Sequence, residues 1–301
     1  MVISEVDSYA AIMPGATDRD LPGGACDTHN HVFGPFDRYP LEYPPDHGMP
    51  LAPIDTYLQM LDNVGLERGV LVQPTQQDCQ MDVMLDALGK SAGRLRGVGA
   101  ARSDTDDDEF ARMATAGVVG LRFVEAPLPS GAPRPGAVGF DEIADLASRL
   151  RDLDWSINVW GRIPTLMDNI DKLMSPGVPV VFEHMGMLDP QAGIQHEHFQ
   201  TLLSLVREGQ AWVKLSFCRC SAEAPLYEDL RPFVNALTEA NPDRLLWGSD
   251  WPFIRMQGTE PDANSLVRLM LDWIDDADIH QKILVANPER LYKFRSAAGR
   301  N

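Results

Sequence analysis

The feature that most constrains the fold of this 301-residue chain is a regular alternation of short apolar runs and longer segments of helical periodicity. The runs have the length and β-branched composition of strands, and the segments between them repeat apolar residues at three- and four-residue spacing, as amphipathic helices do. The predicted strands are 24–31, 68–73, 96–101, 118–123, 155–160, 178–183, 211–216 and 245–249. The predicted helices lie near 54–65, 80–92, 106–116, 140–152, 163–174, 196–209, 227–240 and 262–276.

Several of these strands are apolar almost throughout, as parallel strands are when helices cover both faces of their sheet. A strict order of strand then helix implies right-handed crossovers and a parallel sheet. Eight such units predict an α/β protein with a single-domain (β/α)8 TIM barrel. A doubly wound open sheet is the alternative, but the first strand is not followed by the glycine-rich turn that such nucleotide-binding sheets carry.

We assign 1–22 to an N-terminal arm, 23–295 to the barrel and 296–301 to a C-terminal tail. The arm is expected to be loose. Segment 279–294 suits a closing helix that breaks or restarts at Pro288, because proline lacks the backbone N–H of a helix interior. The Pro/Gly-rich segment 126–139 follows the fourth barrel strand, so we expect it to form a loop over the catalytic end of the barrel.

Charge and composition exclude several classes of function. The formal net charge is −18, from 44 acidic and 26 basic residues, which disfavours binding to nucleic acid. We also expect no signal peptide and no membrane span, which makes a reducing cytoplasm the expected location. The four cysteines are not spaced as a disulfide framework; they are Cys26, Cys79, Cys218 and Cys220.

Four polar residues stand at predicted strand ends, where a barrel core would otherwise take apolar side chains. His29 and His31 end the first strand, His184 follows the sixth and Asp250 follows the eighth. Residues two apart on a strand point to the same side, so both imidazoles of the first strand can enter the barrel mouth. Because active sites of such barrels lie at the carboxyl ends of the strands, we predict a catalytic cluster there.

Such a cluster suits two kinds of chemistry. Imidazoles and a carboxylate can hold one divalent metal, most naturally zinc, whose bound water has a pKa of about 7. Without a metal, Asp250 can deprotonate a water while the histidines polarise a carbonyl. The residues alone leave both readings open.

Four motifs carry a resemblance to a known family. These are HNH after the first strand, EHMG after the sixth, WGSDWP after the eighth and a late NPERLY. From about Gly24 to Lys293, the chain resembles the amidohydrolase-2 group, and within it the pyrone-dicarboxylate lactonases and sulfomuconolactone hydrolases. The resemblance implies hydrolysis of a carboxylated lactone in the degradation of aromatic compounds. The first of these two branches is thought to work without metal, and the second is described as zinc-dependent.

The resemblance also assigns roles to residues. Asp250 would be the general base, and His29, His31 and His184 would bind the metal together with Asp250 or polarise the carbonyl. Arg122 would bind the substrate carboxylate, as a guanidinium can do with two parallel hydrogen bonds. Thr75 matches a position where a small hydroxyl could contact the substrate.

The chain departs from the pyrone lactonase pattern around this centre. Trp160 stands at the position of a tyrosine, and Met187 stands where an arginine would follow the HMG motif. Arg134, Arg162 and Arg219 are close to expected arginine positions but shifted, which indicates a shifted anionic group on a small lactone such as a muconolactone or sulfomuconolactone. We take Trp160, Arg162 and Arg219 as further candidate substrate-binding residues.

Two other functions fit the same residues. A metal-dependent, non-oxidative decarboxylase of an aromatic or muconate acid would use a similar cluster and arginines. A non-catalytic barrel that binds a ligand is the third reading, although the complete rim cluster argues against it. The sequence makes no prediction of oligomeric state.

Overall fold

The structure is a computed structural model that describes residues 7–17, 20–45 and 47–295. Strands within these ranges are β1 Ser8–Ala10, β2 Cys26–Asn30, β3 Met49–Leu51, β4 Arg68–Val72, β5 Leu95–Gly99, β6 Val118–Glu125, β7 Ser156–Gly161, β8 Val180–Phe182, β9 Ala211–Leu215 and β10 Leu245–Trp247. Strands β2 and β4 to β10 pair in parallel, each with its neighbour along the chain. They form the eight-stranded barrel wall that the alternation predicts.

Helices connect these strands, mostly on the outside of the wall. They are α1 Ile54–Val64, α2 Asp82–Lys90, α3 Asp107–Ala116, α4 Ile143–Asp152, α5 Ile163–Asp168, α6 Ile170–Met174, α7 His184–Met187, α8 Glu197–Arg207, α9 Arg231–Ala240, α10 Ala263–Trp273, α11 Ala277–Gln281 and α12 Asn287–Tyr292. This order of elements confirms the predicted single-domain (β/α)8 barrel. The predicted helix at 163–174 is divided in two at Asn169. The short α7 lies at the barrel rim and contains residues in the left-handed region.

Local sequence signals explain where the elements begin and end. The α3 helix begins after Asp106, whose carboxylate accepts a hydrogen bond from the backbone N–H of Glu109, and ends at Gly117, whose φ of 105° suits glycine. Within the wall, strand residues such as Val70 and Leu71 are wholly buried. Covering such strands with the apolar faces of helices is the main driving force for this architecture.

The barrel closes where β10 meets β2, and the contact there is made by the chain just beyond each strand. The Asp250 N–H donates to the His29 carbonyl at 2.8 Å, and the His31 N–H donates to the Trp251 carbonyl at 2.9 Å. Gly248 permits this approach, since a Cβ there would lie 2.6 Å from the Cβ of His29. The closure therefore brings two predicted site segments into direct backbone contact.

Residues 7–17, within the predicted N-terminal arm, make backbone contacts with the rest of the chain. Strand β1 pairs in parallel with β3 in a small separate sheet. The chain that follows is bonded to the barrel, because the indole N–H of Trp251 donates to the Ile12 carbonyl at 2.9 Å. The predicted tail at 296–301 lies outside the described residues.

The other segments outside the repeat agree with expectation. A π-helical turn at Lys282–Ala286 separates α11 from α12, and Pro288 lies in the first turn of α12, where its missing N–H costs little. Segment 126–139 contains neither helix nor strand. Within the described part of the chain, no helix has both the length and the apolar character needed to cross a membrane.

Candidate active site

A buried carboxylate fixes the end of β2, which carries the histidine pair. Asp27 accepts hydrogen bonds from the backbone N–H groups of His29 and Ser249 through Oδ1, and from the Ser249 and Tyr57 hydroxyls through Oδ2. These bonds tie β2 to the segment after β10. Burial raises the pKa of Asp27 to about 6, although the bonds from Ser249, His29 and Tyr57 oppose that rise.

His184 and Asp250 both have backbone conformations that L-residues rarely adopt. The φ of His184 is 48° and that of Asp250 is 65°, and Met185 and Met187 beside His184 are also in the left-handed region. Each such residue costs on the order of 1 kcal/mol, and such strain is concentrated at functional sites. The turns direct both side chains into the barrel mouth, where each is nearly fully buried.

The three predicted histidines converge on one oxygen of Asp250. Its Oδ1 lies 3.5 Å from Nε2 of His29, 3.7 Å from Nε2 of His31 and 3.9 Å from Nε2 of His184. The other oxygen, Oδ2, accepts a short hydrogen bond from Nε of Arg219. The structure thus brings together all four residues predicted for the cluster.

The opposite ring nitrogens are held by groups behind the cluster. Nδ1 of His31 lies 2.7 Å from the Val72 carbonyl, and Nδ1 of His184 lies 3.1 Å from the Ser216 hydroxyl. Nδ1 of His29 lies 3.3 Å from the ammonium Nζ of Lys214. Each imidazole is therefore fixed in orientation with Nε2 turned toward Asp250.

Electrostatics keep Asp250 ionised and His184 neutral. Burial alone would raise the pKa of Asp250, but Arg219, His184 and His31 outweigh it and hold this pKa well below its usual range. Burial lowers the pKa of His184 to about 4, against the opposing effect of Asp250. Burial, followed by the charge of Lys214, also holds the pKa of His29 well below its usual value.

A layer of buried charges lies directly beneath the cluster. Glu183 accepts hydrogen bonds from Nε and Nη2 of Arg122 at 3.0 and 2.8 Å, and its Oε1 lies 3.9 Å from Nζ of Lys214. Burial would raise the pKa of Glu183, but Arg122 and Lys214 outweigh it and lower this pKa. Burial lowers the pKa of Lys214 to about 8, with Glu183 opposing.

The donor set is chemically suited to a divalent cation. His29, His31 and Asp250 offer ligand atoms within 4.8 Å of one another, and so do His29, Glu183 and His184. Imidazole nitrogen and carboxylate oxygen are common zinc ligands. Nε2 of His29 is buried and has no hydrogen-bond partner among the described residues, as an atom reserved for a ligand would be.

The cluster opens onto a pocket that encloses about 480 Å³ of space between its walls, part of it open to solvent. Of the predicted substrate-binding residues, Thr75, Arg122, Trp160 and Arg219 line this pocket. The Nη1 group of Arg122 donates a hydrogen bond to the Gln73 carbonyl at 3.1 Å. Together with the two bonds to Glu183, this bond fixes the orientation of the guanidinium. The roles assigned to these residues remain predictions, but the structure places them beside the cluster.

Arg162 lies elsewhere. It lines a neighbouring, mainly apolar pocket together with Met187, Phe199 and Phe233, and it is not among the residues that line the pocket over Asp250. Arg134 and Arg255 take part in the pocket over Asp250 instead. Arg134 comes from the 126–139 loop, which therefore does cover the catalytic end of the barrel.

Sequence reasoning overlooked the buried partners of the cluster. Lys214 interrupts an otherwise apolar strand, AWVKL, and Glu183 follows the apolar run VVF. Burying a charged residue in a strand costs free energy unless the charge is paired. A charged residue in such an apolar run therefore predicts a buried partner of opposite charge. Arg255 carried no such signal, because its place in the pocket depends on the conformation of the loop after β10.

Comparison with known proteins agrees with this geometry. The family model described as Amidohydrolase matches residues 26–294, nearly the whole described barrel. The chain belongs to the amidohydrolase family. The predicted family is therefore confirmed.

Two curated relatives and one solved structure show what this amidohydrolase is similar to. It is 34% identical over 275 residues to a 4-sulfomuconolactone hydrolase from Rhizobium radiobacter, covering 90% of this chain and 91% of the relative. It is 34% identical over 300 residues to a 2-pyrone-4,6-dicarboxylate hydrolase from Comamonas testosteroni, covering 95% of each.

A crystal structure of a probable 2-pyrone-4,6-dicarboxylic acid hydrolase from Acinetobacter baumannii, with citric acid bound, superposes with a TM-score of 0.75 at 25% identity. It covers 90% of this chain and 100% of that one. Together these similarities confirm the prediction of a hydrolase of the lactonase type.

Proposed function

We propose that this protein hydrolyses a small lactone that carries a carboxylate and a second anionic group. The observation that carries this proposal is an ionised, buried Asp250 that faces three imidazoles and opens onto a pocket lined by arginines. The curated relatives act, by name, on a sulfomuconolactone and a pyrone dicarboxylate, and both of these compounds are anionic rings. A net charge of −18 does not oppose this, because local guanidinium groups dominate a field screened over about 10 Å.

Asp250 serves as the general base in this proposal. A water beside Oδ1 gives its proton to the carboxylate as its oxygen bonds to the lactone carbonyl carbon. The oxyanion that forms is stabilised by the imidazoles, among which we assign His184 the closest catalytic role. Collapse of the tetrahedral intermediate breaks the ring C–O bond, and the departing ring oxygen takes up the proton, which leaves an open-chain acid.

Arg219 links substrate binding to the strength of this base. Its bond to Oδ2 of Asp250 lowers the pKa of the carboxyl and so makes it a weak base. Because Arg219 also lines the pocket, an anionic substrate can draw part of the guanidinium charge away from Asp250. We infer that substrate binding in this way makes Asp250 a stronger base at the moment when it is needed.

Zinc is the cation that we propose for the donor set of His29, His31, His184 and Asp250. When bound, it would supply a Lewis acid that polarises the carbonyl and lowers the pKa of a water to about 7. The roles of the surrounding residues are the same with or without zinc. Asp250 accepts the proton of the water, the arginines orient the lactone ring and the buried walls of the pocket exclude bulk water.

The arginines are arranged around Trp160. The guanidinium carbons of Arg122 and Arg134 lie 5.1 and 5.2 Å from the centre of its ring, at cation–π distance. The indole N–H is buried and has no hydrogen-bond partner among the described residues, so it can donate to a substrate oxygen. We propose that Arg122 holds the carboxylate next to the ring and that Arg134 with Arg255 holds the second anion.

The test is a panel of lactones assayed at constant pH by titration of the acid released. Muconolactone, sulfomuconolactone and pyrone dicarboxylate should be compared with an uncharged lactone of similar ring size. We expect hydrolysis of at least one dianionic ring, with kcat/KM at least a hundredfold above that for the uncharged ring. One CO2 released per substrate consumed would instead establish the decarboxylase, and no turnover of any member would contradict the proposal.

A further inference from the structure

Lys214 is a fully buried cation directly behind a member of the catalytic cluster. It lies on β9 with a side-chain exposure of 0%, and its Nζ is 3.3 Å from Nδ1 of His29. The ammonium also lies 3.9 Å from the Glu183 carboxylate and 5.9 Å from the centre of the Tyr292 ring, and the charges of Arg122 and Asp27 act on it. Burying a lysine ammonium costs desolvation free energy, so a role for Lys214 at this position is expected.

This contact decides where the ring proton of His29 resides. An ammonium group has three donors and no acceptor, so it can bond to Nδ1 only if that nitrogen offers its lone pair. The proton of the neutral ring is then on Nε2, which faces Oδ1 of Asp250 at 3.5 Å. His29 therefore presents an N–H to the site, and a metal can bind this nitrogen only after the proton has left it.

His31 has the opposite arrangement. Its Nδ1 lies 2.7 Å from the Val72 carbonyl, which can only accept a hydrogen bond. The Nδ1 atom therefore carries a proton and donates it in a hydrogen bond to that carbonyl. The two histidines of the HNH motif thus differ at Nδ1, which accepts a hydrogen bond in His29 and donates one in His31.

An alternative partner for His29 is already in place. Oε1 of Glu183 lies 3.6 Å from Nδ1 of His29, too far for a hydrogen bond, and it has no hydrogen-bond partner among the described residues. A carboxylate that accepts Nδ1–H of a histidine is the usual support of a metal-binding imidazole. While the Lys214 ammonium donates to Nδ1 of His29, that nitrogen carries no proton that Glu183 could accept.

We propose that Lys214 is a positioning residue that keeps the ring proton of His29 on Nε2 and thereby weakens binding of a divalent cation at the cluster. His29 is then available as a hydrogen-bond donor to the oxyanion of the reaction. The inference rests on the proposed site at His29 and Asp250, but it does not depend on which lactone is hydrolysed.

The first test reads the tautomer in the unmodified protein. Imidazole 15N chemical shifts of the metal-free protein distinguish Nδ1–H from Nε2–H for each assigned histidine. We expect His29 as the Nε2–H form and His31, which serves as an internal reference, as the Nδ1–H form. Finding His29 protonated on Nδ1 would overturn the proposal, and no variant has to fold for this result to be decisive.

The second test measures the affinity of the metal-free protein for Zn²⁺ by titration calorimetry with a competing chelator. We expect Lys214→Met to bind Zn²⁺ at least tenfold more tightly than the unmodified protein, since partners of this kind change metal affinity 10- to 100-fold. The exposed Lys172→Met is the matched control and should leave the affinity unchanged. An unchanged or weaker affinity in Lys214→Met would overturn the proposal.

A double variant identifies the mechanism of that gain. Glu183→Gln combined with Lys214→Met replaces the carboxylate that would accept Nδ1–H of His29 by a neutral amide, which is a weaker acceptor, so most of the increase in Zn²⁺ affinity should disappear. A gain that persists in full would show that Lys214 acts by charge repulsion alone and would overturn the tautomer assignment. Neither the spectrum nor the titration uses lactone turnover, so a failure here is separate from a failure of the proposed function.

Discussion

The buried charges beneath the cluster make a quantitative prediction about stability. Glu183 is the carboxylate shared by Arg122, at 2.8 Å, and Lys214, at 3.9 Å, and none of the three side chains is more than 6% exposed. Glu183→Gln keeps the shape and one acceptor but removes the negative charge, which leaves two buried cations facing a neutral amide. Breaking a buried pair in this way costs about 3–5 kcal/mol.

That cost converts into a melting temperature. An unfolding entropy of about 2.1 cal/mol/K per residue gives roughly 0.6 kcal/mol/K for 301 residues, so the loss corresponds to about 5–8 °C. Circular dichroism during heating measures it, with Glu197→Gln, an exposed carboxylate, as the control. The double variant Glu183→Gln with Lys214→Met restores the charge balance and should recover at least half of the loss. A decrease below 2 °C in the single variant would refute this reasoning.

Two further predictions concern anion binding and pH. Arg134→Gln and Arg255→Gln should each raise KM about tenfold or more with a smaller effect on kcat, whereas Arg162→Gln, in the neighbouring pocket, should change KM less than twofold; steady-state kinetics on the best lactone decides this. The pKa of His184 falls to about 4 on folding, so the unfolded chain binds the extra proton and stability decreases as the pH falls from about 6.5 to about 4. Urea unfolding across that range should show a slope reduced by up to one proton in His184→Gln, and an unchanged slope would contradict the assignment.

The barrel and the meeting of its four rim residues could be predicted because both follow from local pattern. Strand and helix periodicities are properties of short segments, and a strict alternation leaves few topologies. His29 and His31 are two residues apart on one strand, and His184 and Asp250 follow other strands of the same parallel sheet. Their meeting at one rim is therefore a consequence of topology, and the structure confirms it.

The parts that the sequence did not predict depend on contacts between distant segments. Strand β1 has only three residues, too few for periodicity to indicate a strand, and its partner β3 is about forty positions away. Arg162 was predicted to bind substrate and Arg134 was not, because the positions of both depend on loops that have no repeating pattern. Arg162 lines a neighbouring pocket, and Arg134 lines the pocket over Asp250.

The buried charges illustrate the same limit in energetic terms. Lys214 in an apolar strand is unfavourable by any local rule, and only its three-dimensional neighbours, Glu183 and His29, make the position tolerable. Arg122 was predicted to bind the substrate carboxylate with two parallel hydrogen bonds, yet its Nε and Nη2 already bond to Glu183 and its Nη1 bonds to the Gln73 carbonyl. Its remaining N–H groups are the ones available to a substrate.

The proposal that Asp250 is the general base is tested most directly by the single-turnover rate of Asp250→Asn. The variant should be compared with the unmodified protein on the best lactone, with substrate affinity and melting temperature measured in parallel. We expect the rate to fall by about 10³-fold while substrate binding changes only a few-fold, since removal of a general base costs roughly 10² to 10⁴. A rate within tenfold of the unmodified protein, in a variant that folds and binds normally, would contradict the assignment of Asp250.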